Sequence, residues 1–454
     1  MSNLISSRPF WAWLILFVEG LVSVSLQIIF IRQLTPFVGG DVNVVGIVIG
    51  VYLTALSLGY LRGGNEGGDI KKLSKNFLFS SFWSGIFMSY SVISLWFNSF
   101  ESEVYAGVNY VVLMVYLIVG LFPVVYWLGQ TVPIIVGTLK QDSASKSSGM
   151  TLGVNTIGSV LGAVCTPIVL FNLFGVAATI FICVFMLGLL YLITSYDSGD
   201  LNKPLLMVLV LSIVNAYFVN VHFSNSKFVK TNAYANYEVE KHSDGYGNHV
   251  SILRLNESAA SVIANSETMG YTRYMHDFMV DQLGYVEHDI LVLGSGGFTF
   301  SLNDKTDNRY TYVDIDPDIK DVAEKFFLDF NIKGTFVAED ARRYIKNKKG
   351  QFDTIIVDLY SHRLSMPWHV TTQSFMKNVS EALNQNGYAM FNVIEEMGFK
   401  HPDNRRLHNT ILSVFDYCYI NPLYTKSMTY ANVAYICKKN DDQALEINID
   451  DRTN

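Results

Sequence analysis

Cysteine, proline and charge are all scarce in this chain. Four cysteines occur in 454 residues, at 165, 183, 418 and 437, and none forms a Cys-x-x-Cys pair. No zinc ribbon, thioredoxin-type motif or disulfide framework is implied. Cys165 and Cys183 fall in apolar segments, where a thiol serves as a small core group. Charged residues make up only 16% of the chain, against 50% hydrophobic. That balance argues against an ordinary soluble enzyme and for a membrane protein. Positive charge is in the minority, with a net charge of −7, so the basic footprint of a nucleic-acid binder is missing. His242, His249, His288, His362 and His369 show no metal-ligand spacing, and no metal is expected.

Long apolar runs dominate the first half. They lie near 10–31, 43–62, 76–97, 105–138, 150–172, 176–195 and 204–221. The first is long enough to span a bilayer, since about 20 residues suffice, so it reads as a helix and not as a cleavable signal. The run at 105–138 is too long for one regular helix, and Gly120, Pro123 and Pro133 offer places to break it. Seven or eight transmembrane helices follow. Arg62, Lys71, Lys72 and Lys75 cluster after the second run, whereas the loop after the third has Glu101 and Glu103 and no base. The positive-inside rule puts the basic loop in the cytoplasm. Seven crossings would leave the second half outside and eight would leave it inside. Eight crossings, a cytoplasmic soluble domain and a bacterial inner membrane are expected. Glu19, Gln27, Gln130 and Asn155 lie inside the runs and should face the bundle interior, either as interhelical hydrogen bonds or, for Glu19, as an ammonium-attracting site. The small-residue spacing of Gly153, Gly158 and Gly162 reads as close helix packing.

The second half has ordinary soluble composition. Residues 234–264 alternate apolar and polar with Asp244-Gly245 and Gly247-Asn248 between them, a small antiparallel sheet. A helix follows near 271–284. Strands are then expected near 290–293, 310–314, 335–338, 353–358, 387–393, 427–430 and 433–437. Helices are expected at 318–329, 340–347, 371–385 and 403–416. This is a doubly wound α/β pattern of the class I methyltransferase type. The division expected is a transmembrane domain over 1–222, a small sheet over 231–265, a Rossmann-like cofactor-binding domain over 266–440 and a disordered acidic tail over 441–454.

The chemistry is carried by strand ends. Ile290-Leu-Val-Leu293 runs into Gly294-Ser295-Gly296-Gly297, and Tyr312-Val313-Asp314 ends a second strand about 20 residues on. The glycines let backbone approach a nucleoside, and Asp314, followed by Ile315, can accept from both ribose hydroxyls. Glu339 and Asp340, before Ala341, can accept from an adenine amino group or cap a helix. Asp358 closes a buried apolar strand beside the reacting end of the ligand. Tyr360 to His369 reads as a loop over the cofactor, with Trp368 closing the pocket. Glu395 and Glu396, after the strand at 387–393, can hold a second ammonium.

In the order and spacing of its motifs the whole chain resembles the membrane-fused spermidine synthase-like proteins, polyamine aminopropyltransferases with an N-terminal transmembrane domain. In the membrane half the resemblance rests on Gln27 to Arg32, Trp127-Leu-Gly-Gln-Thr-Val-Pro133 and Asn155-Thr-Ile-Gly-Ser-Val-Leu-Gly162. In the soluble half it rests on Leu293-Gly-Ser-Gly-Gly297, Val313-Asp-Ile-Asp316, Ala338-Glu-Asp-Ala-Arg342, Phe352 to Asp358, and Met366-Pro-Trp-His-Val-Thr371. It implies transfer of an aminopropyl group from decarboxylated S-adenosylmethionine to putrescine or a related polyamine, releasing methylthioadenosine. It further implies Asp314 on the ribose, Asp340 on the adenine, Asp358 at the attacking amine, and Tyr271, Tyr274 and His276 as loose counterparts of the family's pocket residues. A bilayer is then a partner, and a homodimer is admitted. The chain departs from the family pattern at Gly297, where an acid is usual, and at Ser361, where a second acid follows the first. S-adenosylmethionine-dependent methyl transfer and a non-catalytic polyamine or nucleoside sensor or transporter stay open as alternatives.

Overall fold

This computed structural model describes the chain except residues 1–4, 6–8, 41, 101–109, 140–143, 244–246, 361–365, 397–401, 424–429 and 440–454, so the tail expected over 441–454 lies outside the described residues. The chain divides into two compact units, Met1–Glu238 and Val239–Asn454.

The first unit is helical. Helices α1 (Pro9–Val38), α2 (Val42–Gly64), α3 (Ile70–Phe87), α4 (Tyr90–Phe100), α5 (Tyr110–Gly120), α6 (Phe122–Leu128), α7 (Thr131–Thr138), α8 (Ala144–Cys165), α9 (Phe171–Ser198) and α10 (Lys203–Ala216) follow in order. Five helical segments are long and apolar enough to cross a membrane, and the pair α3 and α4, bent by 56°, makes a sixth if counted as one. Their apolar side chains face both the core and the surroundings. Val111, Leu173 and Met207 are exposed while Leu117, Ile180 and Leu209 are buried. A helix that is hydrophobic all round suits lipid.

The run at 105–138 does not double back. Tyr116 donates to Phe87 O (2.7 Å), Trp83 Nε1 to Val119 O (2.8 Å), and Asn76 Nδ2 to Trp127 O (3.3 Å). Gly68 N reaches Ile134 O at 3.0 Å. The pieces α5, α6 and α7 therefore lie end to end along α3, and the breaks only bend one pass. Close packing joins α1 and α8. A Cβ at Gly158 would stand 2.1 Å from Phe17 O, and one at Gly162 2.3 Å from Leu21 O. Gly153 has open space around it and takes no part.

The second unit holds two sheets. The small antiparallel one runs β1 (Lys230–Thr231), β2 (Asn236–Ser243), β3 (His249–Leu255), β4 (Ser258–Ala264) and β5 (Glu267–Thr268), paired in sequence order, with its first strand before the unit boundary. Helix α11 (Tyr271–Asp277) leads to the main sheet of β6 (Asp289–Leu293), β7 (Arg309–Asp314), β8 (Thr335–Ala338), β9 (Phe352–Val357), β10 (Leu383–Glu396), β11 (Tyr417–Leu423) and β12 (Tyr430–Lys438). Its spatial order is β11-β12-β10-β9-β6-β7-β8. The first five strands are parallel and β12 is antiparallel to β10. This is a doubly wound sheet with an antiparallel pair at one edge. Its core is apolar on both faces, including Leu291, Leu293, Ile355, Val357 and Phe391, because parallel strands covered on both sides cannot alternate. Helices α12 (Ile319–Val322), α13 (Ala341–Ile345), α14 (Gln373–Ala382) and α15 (Pro402–Leu412) occupy the connections.

Three sequence expectations are corrected here. Strand β11 lies where none is expected; Pro422 hides it, and proline is tolerated because this is the edge strand. Glu395 and Glu396 are not in a turn after a strand but inside β10, paired with Ala431 and Tyr430. Cys418 and Cys437, cross-strand partners in β11 and β12, form a disulfide with S–S 2.02 Å. Their separation of 19 residues gives no local sign of it.

Candidate active site

The carboxyl ends of β6, β7 and β9 converge on the glycine turn. Gly294 has φ +91°, and a Cβ there would lie 2.0 Å from Asp358 O, so only glycine lets β6 and β9 close at this point. Ser295 N donates to Asp314 Oδ2 (3.0 Å), and Asp316 N donates to Asp314 Oδ1 (3.0 Å). Asp314 is thus aimed back under the turn. Burial nonetheless pushes its carboxyl up to about 6, because two backbone donors do not fully replace water. Ile315, next in the chain, is 51% exposed, an apolar face available to a flat base.

Position 297 is crowded. Its Cβ would fall 2.4 Å from the Phe327 ring and 2.8 Å from Ser261 Cβ. Gly297 N donates to Ser261 Oγ (2.8 Å), which ties the turn to β4. No acid fits at this position without moving Phe327.

Glu339 pairs with Arg343 (3.1 Å). Asp340 caps a helix and also faces an imidazole. Its Oδ1 accepts from Arg343 N (2.9 Å) as the N-cap of α13, and its Oδ2 faces His369 Nε2 at 3.4 Å. Ala341 is buried behind it. Arg342 donates to His369 O, Thr372 Oγ1 (3.0 Å) and Ser374 Oγ (2.8 Å), and so anchors the turn that carries Trp368. Trp368 is 72% exposed and its ring lies edge-on to His369. Trp368 thus neighbours the residue that faces Asp340.

Asp358 is the centre of a second group. Tyr271 OH donates to its Oδ2 at 2.6 Å, and Asn392 Nδ2 donates to its Oδ1 at 2.8 Å. Asn432 Nδ2 supports Asn392 Oδ1 at 2.8 Å. Burial raises the Asp358 carboxyl above the ordinary range, while the Tyr271 and Asn392 donors pull it down. Burial, with the Asp358 charge second, lifts the Tyr271 phenol far above its usual value, so it stays a donor. Tyr360 OH accepts from Ile394 N (2.6 Å) and donates to Asn392 O (3.2 Å). The charges of Asp358 and Glu395 both act on that hydroxyl, after burial the chief reasons it holds its proton. Glu395 itself is 3% exposed.

Not every expected pocket residue joins this group. Tyr274 hydrogen-bonds Asn421 of β11 instead. His276 is buried with Nδ1 3.3 Å from Asp277. His276, five residues along the helix from Tyr271, leaves its face, whereas Tyr274, three along, shares that face and is drawn to β11 by Asn421. The side chain of Glu396 lies outside the described residues. Asn392, Asn432, Ser261 and the anchoring role of Arg342 escape sequence reading. Glu19 belongs to the first unit, and its Oε2 accepts from Asn155 Nδ2, which also donates to Leu16 O (3.0 Å). That is the interhelical hydrogen bond reading. Among the described residues no cluster of metal-ligating side chains occurs.

Comparison with known proteins bears on the same residues. The Spermine/spermidine synthase domain model matches residues 276–449. The C-terminal part carries a spermine/spermidine synthase domain. A polyamine aminopropyltransferase of Hydrogenobaculum sp. (strain Y04AAS1) is 32% identical over 108 residues, 22% of this chain and 38% of that protein. One from Sulfurisphaera tokodaii is 39% identical over 79 residues, 15% of this chain and 26% of its own length. The chain thus spans well under half the length of these two curated relatives. A probable spermidine synthase from Corynebacterium glutamicum ATCC 13032 aligns in structure with a TM-score of 0.37 at 19% identity, over 47% of this chain and 81% of that one.

Proposed function

We propose that the soluble unit transfers an aminopropyl group from decarboxylated S-adenosylmethionine to putrescine or a related amine, releasing methylthioadenosine, and that the helical unit holds it at a bilayer. The observation that carries this reading is Asp358, a half-buried carboxylate beside the glycine turn, held by Tyr271 and Asn392. An amine must lose a proton to attack a sulfonium carbon. The C–N bond forms as the C–S bond breaks, the electron pair leaves on sulfur as the neutral thioether, and Asp358 takes the proton. A carboxyl raised by burial is better matched to that exchange than an ordinary aspartate. Asp314 and Ile315 form the ribose and base platform, with Asp340 toward the adenine amino group. Glu395 and Tyr360 lie on the amine side.

The proposed division keeps 1–222 as membrane domain, 231–265 as small sheet and 266–440 as cofactor-binding domain. Homodimerisation through the small sheet and insertion in a bacterial inner membrane belong to the same reading. The source of a sulfonium nucleoside argues for a cytoplasmic soluble domain; the helix path argues against it.

Methyl transfer from S-adenosylmethionine is the second reading. Its specific support is position 297, where Phe327 and Ser261 leave no room for an acid that would repel the carboxylate of that cofactor. Mass spectrometry of products separates the two, using full-length protein in detergent with each sulfonium and a panel of diamines. Methylthioadenosine with an amine heavier by one aminopropyl unit supports the first reading. S-adenosylhomocysteine supports the second, and no product from either sulfonium overturns both.

A further inference from the structure

We infer that the chain threads the membrane seven times and holds the synthase-like unit on the side away from the cytoplasm. This goes beyond the proposed activity and does not rest on it. The path of the first unit is fixed by its own contacts. Helix α2 follows α1 and packs back on it, with Ser23 Oγ and Tyr52 OH 3.0 Å apart. Helix α3 runs back, and 110–138 returns along it as one pass. The segment Ser145–Ser198 has 54 residues, roughly 80 Å at 1.5 Å per residue, which is far too long for one crossing. It breaks at Gly175, whose φ is +77°. Before the break α8 runs parallel to α1, since Asn155 meets Leu16 and Thr166 Oγ1 meets Ser25 Oγ at 2.8 Å. After it α9 runs the other way, ending where Asp197 Oδ1 accepts from Ile5 N at 3.3 Å. The segment is a hairpin and counts twice. A last helix, Lys203–Lys227, makes the seventh pass and exits beside residue 32, where Arg32 donates to Asn232 O (2.9 Å) and Asn236 Oδ1 (3.0 Å).

An odd number of passes puts the exit at the end opposite the one shared by Ile5, Gly64, Thr138 and Ser198. Bases mark that first end. Arg62, Lys71, Lys72, Lys75, Lys146 and Lys203 all lie at it. Residues 39–40 and 171–175 at the other end have no lysine or arginine, and the exit carries Arg32, Lys227 and Lys230. Six bases against three set the first end in the cytoplasm. Everything after residue 230 then lies across the membrane, and no further segment of the described residues is long and apolar enough to bring it back.

A second observation points the same way and comes from the other unit. Cys418 and Cys437 are disulfide-bonded across β11 and β12. Structural disulfides persist in oxidising compartments and are rare where glutathione and thioredoxin keep thiols reduced. A site on that face meets amines outside the cytoplasm, and any nucleoside it uses must reach the same side.

Two measurements on the full-length chain in bacterial spheroplasts test this. Lys71→Cys and Lys349→Cys, both at exposed positions outside the site, are probed with a membrane-impermeant maleimide before and after lysis, against the parent chain as background. Labelling of Lys349→Cys in intact spheroplasts, with Lys71→Cys labelled only after lysis, is the expected result. The reverse pattern overturns the inference. In parallel, thiols are trapped by acid and alkylated without reductant. Peptides bearing Cys418 and Cys437 should remain linked, whereas alkylation of both refutes the oxidised staple and with it the compartment. Neither readout needs turnover, so failure of the transferase reading leaves both interpretable.

Discussion

Asp314 should make nucleoside binding depend on pH in a way no exposed aspartate would. Its carboxyl is raised to about 6 because burial costs more than the Ser295 and Asp316 amides return. Ribose hydroxyls are donors, so the bound form needs the ionised carboxylate. Binding therefore carries the cost of deprotonation whenever the pH is below 6. The dissociation constant scales as one plus ten to the power of pKa minus pH, about 1.1 at pH 7 and about 11 at pH 5, a loss of roughly tenfold or 1.4 kcal/mol. Isothermal titration of methylthioadenosine into the detergent-solubilised chain, from pH 8 to pH 5, reads this directly. Asp314→Asn should bind more weakly at pH 8 and lose the slope below pH 7. The unliganded fold obeys the opposite sign. An acid whose folded pKa is raised holds more protons folded than unfolded, so stability falls as pH rises from about 4 through 6 and the penalty is complete above that. Asp314→Asn should thus raise the thermal midpoint of the unliganded protein at pH 7 while damaging binding. A flat dissociation constant in the native chain between pH 8 and 5, or a slope kept by Asp314→Asn, would refute the reasoning.

Asp358→Asn should lower turnover by about a hundredfold or more, as loss of a positioned base does, while methylthioadenosine affinity in calorimetry stays within a few-fold; a retained rate removes Asp358 from its role. Ile315→Ala should weaken nucleoside binding by several-fold, about 1 kcal/mol of lost apolar contact, with no effect on the pH slope; unchanged affinity would mean that no base rests there. Gly294→Ala sets a Cβ 2.0 Å from Asp358 O at a positive φ, and should cost several kcal/mol or prevent folding of the second unit, seen as loss of its cooperative melt. Gly158→Leu, 2.1 Å from Phe17 O at the Cβ, should part α1 from α8 and lower the detergent melting point; an unchanged melt would contradict the close packing of these helices.

The parts legible in the sequence are those set by neighbours in the chain. The strand, the glycine turn and the acid ending the next strand are local patterns, and Gly294, Asp314 and Asp358 fall where that pattern puts them. The disulfide is illegible because Cys418 and Cys437 meet only through the pairing of β11 with β12. The length of the run at 105–138 admits two passes or one, and only the hydrogen bonds from Asn76, Trp83 and Tyr116 decide for one. Asn392 is a lone amide in a long apolar strand, Tyr388 to Ile394, where sequence reading sees a core residue or an error. Its meaning arises when β10 lies beside β9 and its amide reaches Asp358.

The same division runs through the site. At the nucleoside end the ligand-facing groups are backbone amides and one carboxylate held by them, with glycines that no side chain can replace. Substitution there breaks the fold. At the reacting end Asp358 is held by side chains from three distant elements: Tyr271 of α11, Asn392 of β10 and, behind it, Asn432 of β12. These are side chains and not backbone, so on the proposed reading a change of amine, or of the group transferred, acts on them and leaves the glycine turn as it is. Crowding of position 297 by Phe327 and Ser261 fits that asymmetry: the acid is absent where the turn begins to face the transferred group, while the glycines beneath the nucleoside are kept. On the proposed reading, exchanging Tyr271, Tyr360, Asn392 and Glu395 should alter product identity before it alters nucleoside affinity.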